Sequence, residues 1–304
     1  MAQRFPSVAL IGASGNLGPH ILQALRTAKP AFNQITVLTR TPPSPSAFPS
    51  DITVKVVDYT SLPDLTAALT GIDAVISAVP TFAALTQKLI IDASLAAGVK
   101  LFIPSEYGLD STGARINADF PSWRPKSQIS DYLAELKSQD KIDYALVMVG
   151  LFLDWGMEGI LLDLKGKSVQ LWDGGNTPIS LTTVGEIAKT VVGVLEGKNG
   201  GKTELRVKNI NISQRRLYEL ATDVVGKEGW TVTELDTVAA VEKARENIAN
   251  GVPDRSYAFL KRAVVDGTYG SVWKAEEDDS ELMGLKTFTE DDVLEIIRNM
   301  AGGK

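Results

Sequence analysis

Residues 8–18 read Val-Ala-Leu-Ile-Gly-Ala-Ser-Gly-Asn-Leu-Gly, a short apolar run that breaks into three glycines and then opens an amphipathic segment. Few folds accept this arrangement. A buried strand must turn sharply, let its backbone approach something closely, and start a helix at once. Glycine permits the turn and the approach, and the helix N-terminus supplies free N–H donors and the positive end of a dipole. A plain tight turn would also use glycine, but a strand before and a helix after favour a dinucleotide-binding βαβ unit. Gly12, Ser14, Gly15, Asn16, Leu17 and Gly18 are then the residues around a pyrophosphate.

The rest of the first half continues the alternation. Strands are expected at Val8–Ile11, Ile35–Thr39, Ile52–Val57, Ala74–Ala78, Val99–Ile103 and Tyr144–Val149. Helical spacing covers Leu17–Ala28, Leu62–Leu69, Thr81–Ala97 and Pro125–Gln139. The strands are near-continuous apolar runs, as a parallel sheet covered on both faces requires. The fold class expected is α/β, a doubly wound Rossmann sheet over residues 1–152. A smaller α/β substrate-side domain, interleaved with the first, is expected over 153–304. Its helices are expected at Val184–Leu195, Arg215–Val225, Val238–Asn250, Ser256–Val265 and Glu290–Met300. Its strands are expected near Ser168–Leu171, Glu204–Val207 and Thr231–Leu235. Thr41–Ser50 and Gly108–Trp123 read as long loops, which in a compact domain tend to be functional.

The end of the second strand decides which dinucleotide. An NAD site places an acid there for the ribose hydroxyls, and an NADP site offers a cation to the 2′-phosphate. Here the strand ends Val37-Leu-Thr39-Arg40-Thr, with no acid. Arg40 can hold a phosphate through two parallel hydrogen bonds, so NADP(H) is the expected cofactor. A solvated surface arginine is the plainer alternative. Asp58, just past the third strand, suits either the adenine amino group or a capping role before Ser61. Ligands of open α/β sheets lie outside the C-terminal strand ends. That adds Ser77, Ala78 and Val79 after the fourth strand, Ser105 and Glu106 after the fifth, and Gly150 and Phe152 after the sixth.

Composition excludes several chemistries. The chain has 304 residues, a net charge of −6 and no cysteine. Disulfides, thiolate metal sites and a cysteine nucleophile are therefore absent. The acidic balance, with no basic stripe, argues against nucleic acid as a partner. His20 is the only histidine, which leaves Ser-His-Asp triads and multi-histidine metal sites without support. It reads as a structural or surface residue. No secretory pattern or membrane-length apolar run is visible, so a cytoplasmic protein with no membrane partner is expected. A monomer or homodimer is expected.

Taken together, the Gly-x-x-Gly-x-x-Gly turn, Thr39-Arg40, Ile76-Ser-Ala-Val79, Phe102-Ile-Pro-Ser-Glu-Tyr-Gly108 and Gly150-Leu-Phe152 resemble the NmrA-like family of atypical short-chain dehydrogenases. More closely, they resemble its isoflavone-reductase-like branch, with its pinoresinol-lariciresinol, isoflavone and phenylcoumaran benzylic ether reductases. The resemblance is good over about the first half and general afterwards. It implies an NADPH-dependent oxidoreductase acting on a small aromatic or conjugated molecule. It also implies a lysine on the helix after the Pro-Ser-Glu-aromatic-Gly loop, which matches Lys126, and a nicotinamide-side position that matches Gln87. A desolvated ammonium has a lowered pKa and can exchange a proton near neutrality. The plainer alternative is a solvated lysine in a first helical turn after Pro125. A Tyr-x-x-x-Lys string occurs only at Tyr257–Lys261, far from its usual place, which counts against a nucleotide-sugar epimerase relative. Leu153, Trp155, Met157, Trp172 and Tyr257 are candidates for an apolar substrate wall, with core packing the alternative for each. The competing function is a non-catalytic NADP(H) sensor that binds a protein partner, which need not keep Lys126.

Overall fold

The computed structural model describes residues 5–28, 32–44, 47–120, 123–252 and 257–302. Six parallel strands form its central sheet: β1 (Ser7–Ile11), β2 (Gln34–Thr39), β3 (Thr53–Val56), β4 (Ala74–Ser77), β5 (Leu101–Ile103) and β6 (Asp143–Tyr144). Their order is β3-β2-β1-β4-β5-β6, with the reversal between β1 and β4. The register aligns Ile11 with Leu38 on one side and with Ser77 on the other, so three strand ends meet at one edge. That edge carries the glycine turn.

Both faces of the sheet are covered, which is why its central strands β1, β4 and β5 are largely apolar and buried. On one face, α1 (Gly18–Thr27) packs with α7 (Val184–Leu195) over Val8, Leu10, Ile76, Ile103 and Val147. The second half of the chain thus contributes a helix to the first half's sheet. On the other face lie α2 (Leu62–Leu69), α3 (Gln87–Ala97) and α5 (Arg124–Ser138), over Ile11, Leu38, Val75 and Phe102. A 3-10 turn, Thr81–Thr86, leads into α3, where the sequence pattern predicts one continuous helix. A short helix, α4 (Ala114–Asp119), interrupts the loop expected at Gly108–Trp123.

The sixth strand divides. After Tyr144, which pairs with Phe102, the chain leaves β5, because β5 ends at Ile103 and Pro104 has no N–H to continue the ladder. Leu146–Met148 forms β7 and pairs instead with β11 (Glu204–Arg206). Next come β8 (Leu151–Phe152) and the one-turn α6 (Leu153–Gly156).

The remaining strands are β9 (Ser168–Trp172), β10 (Pro178–Thr182), β12 (Ile210–Ser213) and β13 (Thr231–Leu235). The remaining helices are α8 (Gln214–Val225), α9 (Thr237–Ala249), α10 (Ala258–Val265) and α11 (Glu290–Ala301). Residue 256, the expected start of α10, lies outside the described residues. Strands β12, β10 and β8 form a small sheet that places Phe152 against Thr182. The second core holds Leu153, Met157, Leu171, Trp172, Leu217, Phe259 and Ile297. Among the described residues, no helix is long and apolar enough to cross a membrane.

Candidate active site

The glycine turn is built by close approach. Gly12 has φ +83°, and a Cβ on it would lie 2.4 Å from the Ala78 carbonyl oxygen. A Cβ on Gly18 would lie 2.1 Å from the Gly12 carbonyl oxygen, so α1 starts directly against the turn. The Gly15 amide closes that turn by donating to the Gly12 carbonyl at 3.0 Å. Ser14, Gly15 and Asn16 stand exposed, Leu17 is buried at the N-cap of α1, and His20 points to the surface. No side chain caps α1 and no acid sits in its first turn. The helix N-terminus is therefore available to an anion.

A cavity of about 700 Å³ runs over this edge, from the glycine turn past Thr39 and Arg40 to Val79, Pro80 and Thr86. Arg40 is exposed beside it, and among the described residues no carboxylate pairs with it. Tyr59, whose hydroxyl donates to the Leu38 carbonyl at 3.0 Å, lines the same cavity. Burial pushes its phenol pKa well up, against the opposing pull of Arg40. Phe48 and Phe82 line it as well. Sequence reasoning missed these three aromatics. For Tyr59, the position just past the third strand was an available signal. Asp58 is exposed, and its Oδ1 is engaged by the Thr60 hydroxyl and amide at 2.7 and 2.8 Å. Those bonds hold its carboxyl below the usual range and make a local turn ahead of Ser61, which caps α2.

The end of β5 is fastened from three sides. Gln87 is 1% exposed. Its Oε1 accepts the Ser105 amide at 2.8 Å and its Nε2 donates to the Ala84 carbonyl at 3.1 Å. The Ser105 hydroxyl donates to the Val79 carbonyl at 2.7 Å, tying the ends of β4 and β5 together. The Gly108 carbonyl accepts both the Val149 and Gly150 amides, at 3.0 and 3.1 Å, which joins this loop to the corner before β8. Gly150 takes φ +67° at that corner, where a Cβ would lie 1.9 Å from the Ser180 carbonyl oxygen. Gln87 is thus a clamp under the crevice floor. Ser77 is fully buried, and its hydroxyl has no partner among the described residues.

Lys126 stands in the first turn of α5 and reaches back to this loop. Its Nζ donates to the Glu106 carbonyl oxygen at 2.5 Å. The Glu106 side chain is buried, with Oε1 accepting the Ser111 amide at 3.2 Å. Burial pushes the Glu106 carboxyl pKa up, and the Lys126 charge opposes that push. Burial pushes the Lys126 ammonium pKa down, and the Glu106 charge opposes that in turn. The residues present therefore fit a nicotinamide dinucleotide: a glycine cradle, an open helix N-terminus, an unpaired arginine at the second strand's end, and a desolvated lysine further along the strand ends.

The five apolar wall candidates separate. Leu153, Met157 and Trp172 are 0%, 1% and 1% exposed and belong to the second core. They present no open surface, because α6 packs on β8 and β10 while α8 and α10 cover β9. Trp155 is half-buried and meets Phe152 edge-on at 6.0 Å between centroids. Tyr257 is 56% exposed at the start of α10, with φ +56°.

The profile of the NmrA-like family matches residues 6–158. An oxidoreductase of Aspergillus flavus is 31% identical over 94% of this chain and 97% of its own. The chain belongs to the NmrA-like family. Within reach of this family member are also quinone oxidoreductase 2 of Escherichia coli, 26% identical over 93% of this chain and 95% of that one, and leucoanthocyanidin reductase of Vitis vinifera. The latter's ternary complex superposes with a TM-score of 0.75 at 18% identity, covering 96% of this chain and 99% of the other. The E. coli enzyme, solved with NADPH, superposes at 0.70 with 21% identity, covering 95% and 98%. These likenesses show that the NmrA-like chain shares their fold over nearly its whole length.

Proposed function

We propose that this NmrA-like protein is an NADPH-dependent reductase of a small aromatic or conjugated molecule. The observation that carries the reading is Lys126. Its desolvated ammonium lies on the same row of strand ends as the glycine cradle and Arg40, and a protein that only binds nucleotide has no need of it.

The roles follow from position. The amides of the glycine turn and the start of α1 hold the pyrophosphate, and Arg40 grips the 2′-phosphate through its planar fork. Ser77, Ala78 and Val79, with Ser105, Glu106 and Gly150, form the backbone floor along which the nicotinamide half lies. Thr39 precedes Arg40 at the adenosine end, and Phe152 with Trp155 borders the reacting end. NADPH supplies a hydride when bound. Lys126 donates the matching proton to the substrate oxygen, and its lowered proton affinity brings that transfer toward neutral pH. Trp155 and Tyr257 keep apolar surface for an aromatic substrate, and the E. coli and Vitis relatives, by their names, act on such molecules.

The test is consumption of NADPH with a panel of quinones, enones and benzylic ethers. The expected result is turnover with at least one, lost in Lys126→Met while NADPH affinity persists. Tight NADPH binding with no turnover across the panel would overturn the reading in favour of a nucleotide sensor.

A further inference from the structure

Phe82 is 93% exposed, more than any other large apolar side chain among the described residues. Single apolar residues on a surface are ordinary, but the place of this one is not. Among those exposed side chains it alone lines the cavity of about 700 Å³ over the glycine turn. The 3-10 turn that carries it is well fastened. The Ala83 amide donates to the Pro80 carbonyl at 2.8 Å, the Thr86 hydroxyl to the Ala83 carbonyl at 2.6 Å, and Gln87 Nε2 to the Ala84 carbonyl at 3.1 Å. The same turn packs on α3 and α5. An aromatic ring on so fixed a support offers a flat apolar face to a ligand at little cost in ordering.

The lining of the cavity tells which half of a dinucleotide meets that ring. It comes from the glycine turn, α1, the end of β2 with the segment after it, Tyr59 after β3, and Val79 to Thr86 after β4. Among the described residues, none of it comes from the end of β5, from α5 with Lys126, or from the Gly150 corner. A sheet of this strand order binds one mononucleotide on each side of its reversal, which lies between β1 and β4. The cavity is therefore the adenosine half, and the nicotinamide half lies beyond it toward Lys126. A planar base in that slot has the Phe82 turn along one side and the end of β2, Leu38 to Thr41, along the other. Several hydroxyls there are engaged within the chain. Thr39 donates to the Thr41 carbonyl at 2.9 Å, Tyr59 to the Leu38 carbonyl and Thr86 to the Ala83 carbonyl. What Phe82 adds to the slot is a ring face.

We propose that Phe82 is the platform for the adenine base of the cofactor: its ring stacks on one face of the base and so positions the adenosine half. The proposal rests on the reading of this cavity as the dinucleotide site. Stacking is indifferent to the 2′-phosphate. Phe82 thus serves affinity for the base itself, while Arg40 serves the choice between phosphorylated and unphosphorylated cofactor. The ring is exposed without nucleotide and becomes covered with it, so the apolar area it presents leaves water only on binding.

The test needs no substrate. Dissociation constants of NADPH and of adenosine 2′,5′-bisphosphate, which keeps the base and drops the nicotinamide half, are measured on the full chain by calorimetry. Phe82→Ala should weaken both by the same factor, about 5- to 100-fold for one stacked base. Phe82→Tyr, which keeps the ring, should bind as the parent does. Because the side chain is exposed, the melting temperature of Phe82→Ala without nucleotide should match the parent's, which a structural role would not allow. Unchanged affinities in Phe82→Ala would overturn the proposal. A loss with NADPH alone would overturn it too, since it would put the ring at the nicotinamide half. Should that variant not fold, Phe82→Trp decides: its added fluorescence should be quenched by adenosine 2′,5′-bisphosphate and not by nicotinamide mononucleotide, and no quenching would overturn the platform. Failure of the parent to bind either nucleotide would sink the cofactor reading as well, so the two failures are distinguishable.

Discussion

The ammonium of Lys126 lies 2.5 Å from the backbone carbonyl oxygen of Glu106, so the first turn of α5 is pinned to the loop that follows β5. The partners stand twenty positions apart in sequence, with the short helix α4 between them. The bond is what converts a surface position on a helix into a group inside the crevice. The side chain is half-buried there, and burial lowers its proton affinity, with consequences that can be measured.

The first concerns pH. Burial lowers the proton affinity of Lys126 below that of an ordinary lysine, near 10.5. A proton donor works only while protonated, so turnover should fall as pH rises through the depressed value. The expected kcat profile is flat at lower pH and declines at a lower pH than an ordinary lysine would impose. Lys126→Met should lower kcat by about 10²–10⁴-fold with NADPH affinity within a few-fold of the parent. A profile that stays flat up to the range of an ordinary lysine, near 10.5, or turnover intact in the variant, would remove Lys126 from the chemistry.

The second concerns cofactor choice. Arg40 is exposed at the end of β2 and no carboxylate among the described residues competes for it. Hydrogen bonds to a charged group contribute about 1.5–3 kcal/mol. Arg40→Gln should therefore weaken NADPH about 10- to 100-fold and leave NADH nearly unchanged. Titration of both nucleotides by fluorescence checks this, and equal losses would deny the arginine its phosphate.

Much of this is legible in the sequence because it is local. A strand, a glycine turn and a helix are adjacent in sequence, so Gly12 through Gly18 and Arg40 could be read directly. The helices at Leu62–Leu69 and Val184–Leu195 carry their own caps in Ser61 and Thr183. What was illegible depends on distant partners. Strand β10 and the division of β6 from β7 are set by which neighbour pairs, since Leu146 finds Glu204 rather than a β5 residue beyond Ile103. The burial of Trp172 and Met157 comes from packing across elements, and apolar side chains look alike whether they line a pocket or a core. The partnership of Lys126 with Glu106 needed a backbone carbonyl, which no sequence motif encodes.

The third prediction follows from the close approach at the turn. An alanine at Gly12 would need both an unfavourable φ of +83° and a Cβ 2.4 Å from the Ala78 carbonyl oxygen. Strain of about 1–2 kcal/mol from the dihedral adds to about 1–3 kcal/mol from overpacking. Gly12→Ala should lose NADPH binding and about 2–5 kcal/mol of stability in urea unfolding. Gly71→Ala, at a similar φ of +81° with nothing near its Cβ, should cost only the dihedral part and leave binding intact. Similar losses at both sites would mean that the close approach contributes little.

The last prediction isolates the clamp beneath the crevice. Gln87 is buried on α3, and its Oε1 is the acceptor for the Ser105 amide, itself the residue that ties β5 to β4 through Val79. Gln87→Leu keeps the volume roughly but leaves that amide buried without a partner, a penalty of about 1–3 kcal/mol. The Ala84 carbonyl is less affected, because the Gln87 backbone amide also donates to it. Stability should drop by that amount, and hydrogen exchange at the Ser105 amide should accelerate more than at Phe102 in the middle of β5. The loop carrying Glu106 begins at this point, so a loosened Ser105 should also loosen the seat of Lys126. The variant should then show a lower kcat, with NADPH affinity much less affected, because the glycine cradle and Arg40 lie on other strands. Unchanged Ser105 exchange, or a loss confined to NADPH affinity, would place Gln87 outside this role.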